Sequence, residues 1–251
     1  MLPVSGDQLF LGLYGLTLAA YGAASLMPIR MKPWLLGGGI GCHLATFVIR
    51  TIEAGRLPLV GVFDTLSFFA LSVACLGLVY YRKYRSVTFL EGGCIMAAAM
   101  LLFDLFAPRE LRPLPPVLRT FWFEIHVVLS FVAYGLFAIA FLGGIDYFLS
   151  GRTREASDAE YSAALWGYLV FSVAMIAGGI WAYFAWGSYW LWTPKELWTT
   201  IVWFFYSLYL HARIVRGWKG STRALLAIVG FAVVMFTYLG VGLLMKSSHT
   251  F

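Results

Sequence analysis

The chain is expected to be all-α, a polytopic helical membrane protein with about eight transmembrane helices. Three observations lead there. Of its 251 residues 61% are hydrophobic and only 12% charged, with a mean hydropathy of +0.81, whereas soluble proteins carry about a quarter charged residues. The apolar residues fall in runs long enough to cross a bilayer, which takes about 20 residues. No polar stretch is long enough to form a separate water-soluble domain, so residues 1–251 are read as a single membrane domain whose surroundings are the lipid bilayer. The net charge of +6 belongs to loop lysines and arginines and does not point to nucleic acid.

The runs can be taken in order. The first covers about 8–28. No basic segment or small-residue cleavage site precedes it, so Leu9 to Met27 reads as a retained first helix. The second (33–52) carries His43, the third (62–81) starts near Asp64, and the fourth is 87–107. Cys42, Cys75 and Cys94 lie inside such runs without a CxxC pair. That argues against thiol–disulfide chemistry or a zinc site and leaves them as small core residues. The fifth run (121–149) opens near His126, and the sixth is 164–185. The seventh (196–214) holds His211, and the eighth (224–245) is followed by His249. Asp104 and Asp146 lie near helix ends, where an interfacial position accounts for them; Asp64 is a candidate to support a bound ligand indirectly.

Eight spans place the loops alternately on two sides. One side carries Arg30, Lys32, Arg82, Lys83, Arg85, Arg152, Arg154, Arg213, Arg216, Lys219 and Arg223. The other carries Arg50, Arg56, Arg109, Arg112, Arg119, Lys195 and Lys246. The richer side is expected to be cytoplasmic, which leaves both termini outside. The loops 53–61 and 108–119 and the segment after helix six then face outward. The basic residues on that face fit either an anionic ligand or arginines reaching to lipid phosphate.

The segment Trp181 to Trp203, WAYFAWGSYWLWTPKELWTTIVW, joins helices six and seven and holds six of the ten tryptophans. Tryptophan favours the membrane–water boundary, where the ring is buried and the indole N–H stays wet. Interfacial belts alone give scattered rings, so this density reads as a flat aromatic platform for a large planar ligand, or else as a re-entrant loop anchored by many rings.

Ionisable residues within spans are costly and usually face a protein interior or cavity. The four histidines can each be a hydrogen-bonded core residue. Their placement also makes two pairs, each residue from a different helix: His126 and His249 at the outer face, His43 and His211 deeper. Neutral imidazole ligates haem iron, with axial ligands on opposite ring faces. At ~1.5 Å per residue the inner two differ in depth by ~10 Å, a gap that helix tilt would have to close. Tyr134 and Tyr183 can donate hydrogen bonds to a propionate or quinone, or simply pack.

The run WGSYWLWTPKELW, a helix ending SLYLHAR, and FTYLGVGLL followed by SSHTF resemble the cytochrome c assembly family of the CcsA/ResC type. That family carries an extracytoplasmic Trp-rich "WWD" segment of the form WGxYWxWDPKExW. Upstream, IHVVLSFVAYGLF resembles its first external histidine helix and FVIRTIEAGRLPLVGVFDTLSFF its R-x-x-x-x-G-x-x-P-x-x-N-x-Y-E-S-L region. The resemblance covers about residue 43 to the C-terminus, with 181–203 as the WWD-like segment. Two departures stand out. Thr193 replaces the motif's Asp, though Thr can still cap the following helix, and the N-x-Y-E-S-L stretch reads VGVFDTL.

The resemblance implies a multi-pass protein of the bacterial cytoplasmic membrane that handles or exports haem b in System II type cytochrome c biogenesis. Haem would be presented at the outer face for attachment to the CxxCH of apocytochrome c. By motif position, His126 and His249 would be external iron ligands, His211 an intramembrane ligand, and His43 a second one. Trp186, Trp190, Trp192 and Trp198 would face the porphyrin. A CcsB/ResB-like membrane protein would be the partner, and the chain a component of a cytochrome c haem lyase. No nucleophile or acid–base dyad is visible, which fits chemistry left to cofactor and substrate. Two other readings are a HemX-like non-catalytic regulator, which Thr193 favours, and a bis-histidine haem electron-transfer subunit.

Overall fold

The computed structural model describes residues 6–111, 113–215 and 217–245. Every regular element among them is helical: α1 Gly6–Leu26, α2 Lys32–Ala54, α3 Val62–Tyr84, α4 Val87–Asp104, a 3-10 turn Pro116–Leu118, α5 Phe121–Leu149, α6 Arg154–Trp186, α7 Pro194–Ile214 and α8 Gly220–Met235. A five-residue π segment, Phe236–Gly240, then leads into a last turn, α9 Val241–Leu244. Seven of the helices are long and apolar enough to cross a membrane: α1 to α6 and the run Gly220–Leu244. The chain is an integral, multi-pass membrane protein.

The expectation of eight spans differs from this at α7. That helix is 21 residues long but is not among the seven. Lys195, Glu196, His211 and Arg213 load its ends, and Thr199, Thr200, Tyr206, Ser207 and Tyr209 make its middle less apolar. A second difference lies in α6, which starts ten residues before the apolar run at 164. Its first turns read REASDAEYSA, polar enough to pass for a loop, yet Thr153 caps them by accepting from the Ala156 amide at 3.3 Å. At 33 residues and ~1.5 Å per residue, α6 is ~50 Å long. That exceeds the ~30 Å apolar core of a bilayer.

Local chemistry sets the other boundaries. Pro33 occupies the first turn of α2, where its missing N–H costs nothing, and Gly55 ends that helix at φ 63°. Ser86 caps α4 and Thr120 caps α5, each accepting a backbone N–H.

The helices cluster into two compact units that divide between Arg112 and Pro113. In the first, α3 packs on α4, and α1 on α2 and α4, around Tyr21, Leu36, Phe69 and Phe89. Several of its buried polar side chains pair with one another or with backbone. Arg50 Nε donates to Asp64 at 3.0 Å while its Nη2 donates to the Arg109 carbonyl. Tyr14 donates to the Leu101 carbonyl and lies within reach of the fully buried Asp104. For Arg50, the protein itself thus supplies the anion that sequence reading sought in a ligand or in lipid.

In the second unit α5 is central, flanked by α6 and α8, with α7 against both of those. Phe137 and Tyr206 stack at 3.7 Å between ring centroids. The close approach of α5 to α6 and α8 depends on Gly143 and Gly144. A Cβ on the first would stand 2.8 Å from the Glu160 Cα of α6, and on the second 2.7 Å from the Ala224 carbonyl of α8. Small residues that let backbones meet are the usual adhesive of helices in lipid.

Candidate functional site

One end of the second unit gathers most of the expected site. Its foundation is the face of α6 that ends in the Trp-rich segment. Trp181 is buried there, its indole N–H donating to the Val117 carbonyl at 2.9 Å and its ring 5.4 Å from that of Phe123. The Pro-rich stretch before α5 is thereby tied to the end of α6. Gly187, at φ 74°, ends α6 and turns the chain into the loop 187–193.

Glu196 organises that loop. Its buried carboxylate accepts from the backbone N–H of Leu191 and of Thr193, each at 2.9 Å. The Glu196 amide in turn donates to Thr193 Oγ1 at 3.4 Å, closing a capping box with Pro194 in the first turn of α7. Thr193 thus caps α7, as expected of a Thr standing in place of Asp. Ser188 accepts the Trp190 N–H and donates to the Trp190 carbonyl. Trp192 holds φ 56°, a left-handed conformation that non-glycine residues rarely adopt.

The tryptophans do not make the flat platform expected. Trp190 and Trp192 cross at 83° with centroids 6.5 Å apart, and Trp181 and Trp186 cross at 77°. Edge-to-face packing suits the ring quadrupoles better than coplanarity, and the left-handed turn at Trp192 re-aims its ring. Trp192 is two-thirds exposed and Trp186 is also exposed. Trp198, on α7, packs 4.4 Å from Phe236 at the start of the π segment. Tyr183 stacks on Tyr189 at 4.6 Å, and Tyr134 is buried among Phe131, Phe171 and Tyr238.

His126, on the first turns of α5, meets α6. Its Nδ1 lies 2.8 Å from the Ala174 carbonyl. A carbonyl can only accept, so Nδ1 carries the proton and the lone pair of the neutral ring sits on Nε2. Nε2 makes no hydrogen bond among the described residues. The ring rests over Gly178, and the next residue, Gly179, faces the Tyr189 carbonyl, 3.4 Å from where its Cβ would be. Adjacent glycines of α6 thus receive the histidine and the Trp-rich loop. Lys195 interacts electrostatically with His126. It is half-buried and makes no ion pair among the described residues, and burial pushes its ammonium below the ordinary lysine range.

The remaining histidines are placed differently. His43, in the first unit, is buried with both ring nitrogens engaged, Nδ1 with Tyr21 Oη at 3.1 Å and Nε2 with Ser67 Oγ at 3.0 Å. His211 lies near the end of α7 that carries Arg213, exposed, at the opposite end of that helix from the loop. His249 lies outside the described residues, as do Arg112, Arg216 and Lys246. Sequence reading missed three participants: the Ala174 carbonyl, Gly178 and the anchoring role of Trp181. The Gly-Gly pair at 178–179, just before the Trp-rich segment, was the available signal.

A neutral imidazole with a fixed tautomer and a free Nε2, set beside aromatic rings and an unpaired cation, is a donor set suited to haem. Comparison with known proteins agrees in kind. Residues 59–249 match the family described as Cytochrome C assembly protein. The chain is 30% identical over 223 residues to "Cytochrome c biogenesis protein CcsA" of Chlamydomonas reinhardtii, covering 81% of this chain and 63% of that protein. It is 30% identical over 245 residues to the CcsA of Parasynechococcus marenigrum strain WH8102, covering 81% and 80% respectively. Among solved structures, "Cytochrome c Heme Lyase CcmF" superposes with a TM-score of 0.68 at 16% identity, over 97% of this chain and 46% of that one. At that identity the likeness is one of fold. The chain spans less than two thirds of the Chlamydomonas protein and less than half of the CcmF chain.

Proposed function

The chain belongs to the cytochrome c assembly family, and we propose that it is a haem-handling subunit of a cytochrome c biogenesis machinery of the System II type. It would hold haem b at the end of the second unit that carries the Trp-rich loop. With α7 counted as a span, the positive-inside rule turns that end outward from the bacterial cytoplasmic membrane. His126 Nε2 and His249 would be the iron ligands. Trp186, Trp190, Trp192 and Trp198 would meet the porphyrin as separate walls, and Lys195 is the cation available to a propionate.

The observation that carries this reading is the Nδ1 hydrogen bond of His126 to the Ala174 carbonyl. Ligating histidines almost always donate their other ring N–H to a carboxylate, carbonyl or water, which fixes tautomer and ring orientation. His43 fits an iron-binding role only by exchanging its Ser67 contact, with Tyr21 keeping the ring in place. When bound, haem supplies the vinyl groups to which the thiols of a CxxCH peptide add. The chain's own residues would do the rest: Glu196 shapes the loop, His126 would hold the iron, and the Trp rings would shield it from water. The work would be done with a CcsB/ResB-like membrane protein, on apocytochrome c. The intact capping box at Thr193 means that loss of the helix cap lends no support to the alternative, a HemX-like regulator.

Oxidised and reduced absorption spectra of the purified chain test the proposal, together with cytochrome c maturation in cells that also express a CcsB-like partner. Wild type should carry low-spin haem and support maturation, and His126→Ala and His249→Ala should lose both. A chain that purifies without haem from haem-replete cells, and gains none on adding it, would overturn the reading.

A further inference from the structure

We infer that Gly178 is a positioning residue for His126, kept without a side chain so that the ring can reach the backbone of α6. The inference rests on the reading of His126 as an iron ligand. Ala174 and Gly178 are one turn apart on the same face of α6, and side chains on a helix tilt back toward its N-terminus. A side chain at position 178 therefore lies over the turn where the Ala174 carbonyl is. His126 Nδ1 occupies that space, 2.8 Å from the carbonyl oxygen. A Cβ on Gly178 would stand 2.6 Å from Nδ1 and 2.8 Å from Cε1. Both are below any real Cβ contact, so the ring would have to leave the carbonyl.

The displacement has a chemical consequence. The Ala174 carbonyl is what holds the proton on Nδ1 and leaves the lone pair on Nε2. A ring pushed off it loses both its orientation and its fixed tautomer. Losing such an orienting contact typically costs a metal site 10–100-fold in affinity. Helix propensity acts the other way, because alanine is a better helix former than glycine by ~1 kcal/mol. If nothing packed against this position, Gly178→Ala would thus be neutral or more stable.

The test uses the full chain in lipid vesicles: wild type, Gly178→Ala, His126→Ala, the Gly178→Ala/His126→Ala double variant, and Gly41→Ala, whose methyl would enter open space. Two quantities are read, haem affinity by absorption titration and, in the haem-free protein, the imidazole tautomer by 15N NMR. The expected result is a single Nδ1–H tautomer for His126 in wild type, a mixture in Gly178→Ala, and a 10–100-fold loss of affinity for haem in that variant. Gly178→Ala should add nothing in the His126→Ala background, and Gly41→Ala should match wild type.

If His126→Ala weakens haem binding while Gly178→Ala retains both tautomer and affinity, the positioning role falls and the ligand reading stands. If His126→Ala leaves haem binding unchanged, the ligand reading falls, and the tautomer in Gly178→Ala alone decides the contact. If Gly178→Ala does not fold but the double variant does, the clash with the ring is confirmed. If neither folds, the methyl meets something other than His126, and the inference is overturned.

Discussion

Thr193 and Glu196 hold each other at the mouth of the Trp-rich loop: the Thr193 amide donates to Glu196 Oε2 at 2.9 Å, and the Glu196 amide donates to Thr193 Oγ1 at 3.4 Å. The second acceptor contact of the same carboxylate, from Leu191, extends the box backward into the loop. One buried anion thereby fixes the start of α7 and the conformation of the segment that presents Trp190 and Trp192.

Glu196→Ala should therefore loosen the loop. Removing an ionised acceptor of two backbone donors costs about 2–3 kcal/mol, and the exposed tryptophans lose their fixed positions. Thermal unfolding and iodide quenching of tryptophan fluorescence check this. Glu196→Gln keeps an acceptor and should fall between wild type and Glu196→Ala.

Thr193→Asp should leave stability nearly unchanged, because Asp and Thr are both good N-caps, whereas Thr193→Val should cost about 1 kcal/mol. Thermal denaturation of the three proteins measures it. If the family's Asp serves only as a cap, Thr193→Asp also leaves haem content unaltered. A gain in haem content on restoring the carboxylate would assign the Asp a role in holding ligand.

The buried pair Arg50–Asp64, at 3.0 Å with both side chains nearly excluded from solvent, anchors the α2–α3 end of the first unit. Asp64→Asn or Arg50→Gln should destabilise by about 3–5 kcal/mol, since each leaves a charge buried without its partner. Replacing both by apolar residues of similar size should cost less. Denaturation by added SDS, with the double-mutant cycle, provides the measurement.

Gly144→Ala should destabilise the second unit by about 1–3 kcal/mol, because the new methyl would meet the Ala224 backbone carbonyl rather than a movable side chain. Gly41→Ala should be neutral or slightly stabilising. Melting temperatures of the two variants separate close packing from helix propensity.

Much of the fold could be read from hydropathy, because a span must be apolar along its length. The fifth run, 121–149, coincides with α5 Phe121–Leu149. Reading fared worse where helix and apolar run part company. The N-terminal turns of α6 are helical but polar, and α7 is helical but too rich in Thr, Ser, Tyr and charged residues to count as apolar. The site was legible as residue types, His126 and the tryptophans, since each is conspicuous in sequence. Its geometry was not. The angle between Trp190 and Trp192 follows from a left-handed turn at a non-glycine residue, and the tautomer of His126 from a carbonyl on a helix 48 residues away. Neither leaves a mark in composition or spacing.

The central claim is that His126 Nε2 binds haem iron, and imidazole rescue tests it most directly. The chain is purified as wild type and as His126→Gly, and the absorption spectrum of the oxidised protein is recorded with and without millimolar imidazole. The account predicts low-spin haem in wild type, its loss in His126→Gly, and its return when free imidazole fills the vacated position. A His126→Gly spectrum indistinguishable from wild type would contradict it.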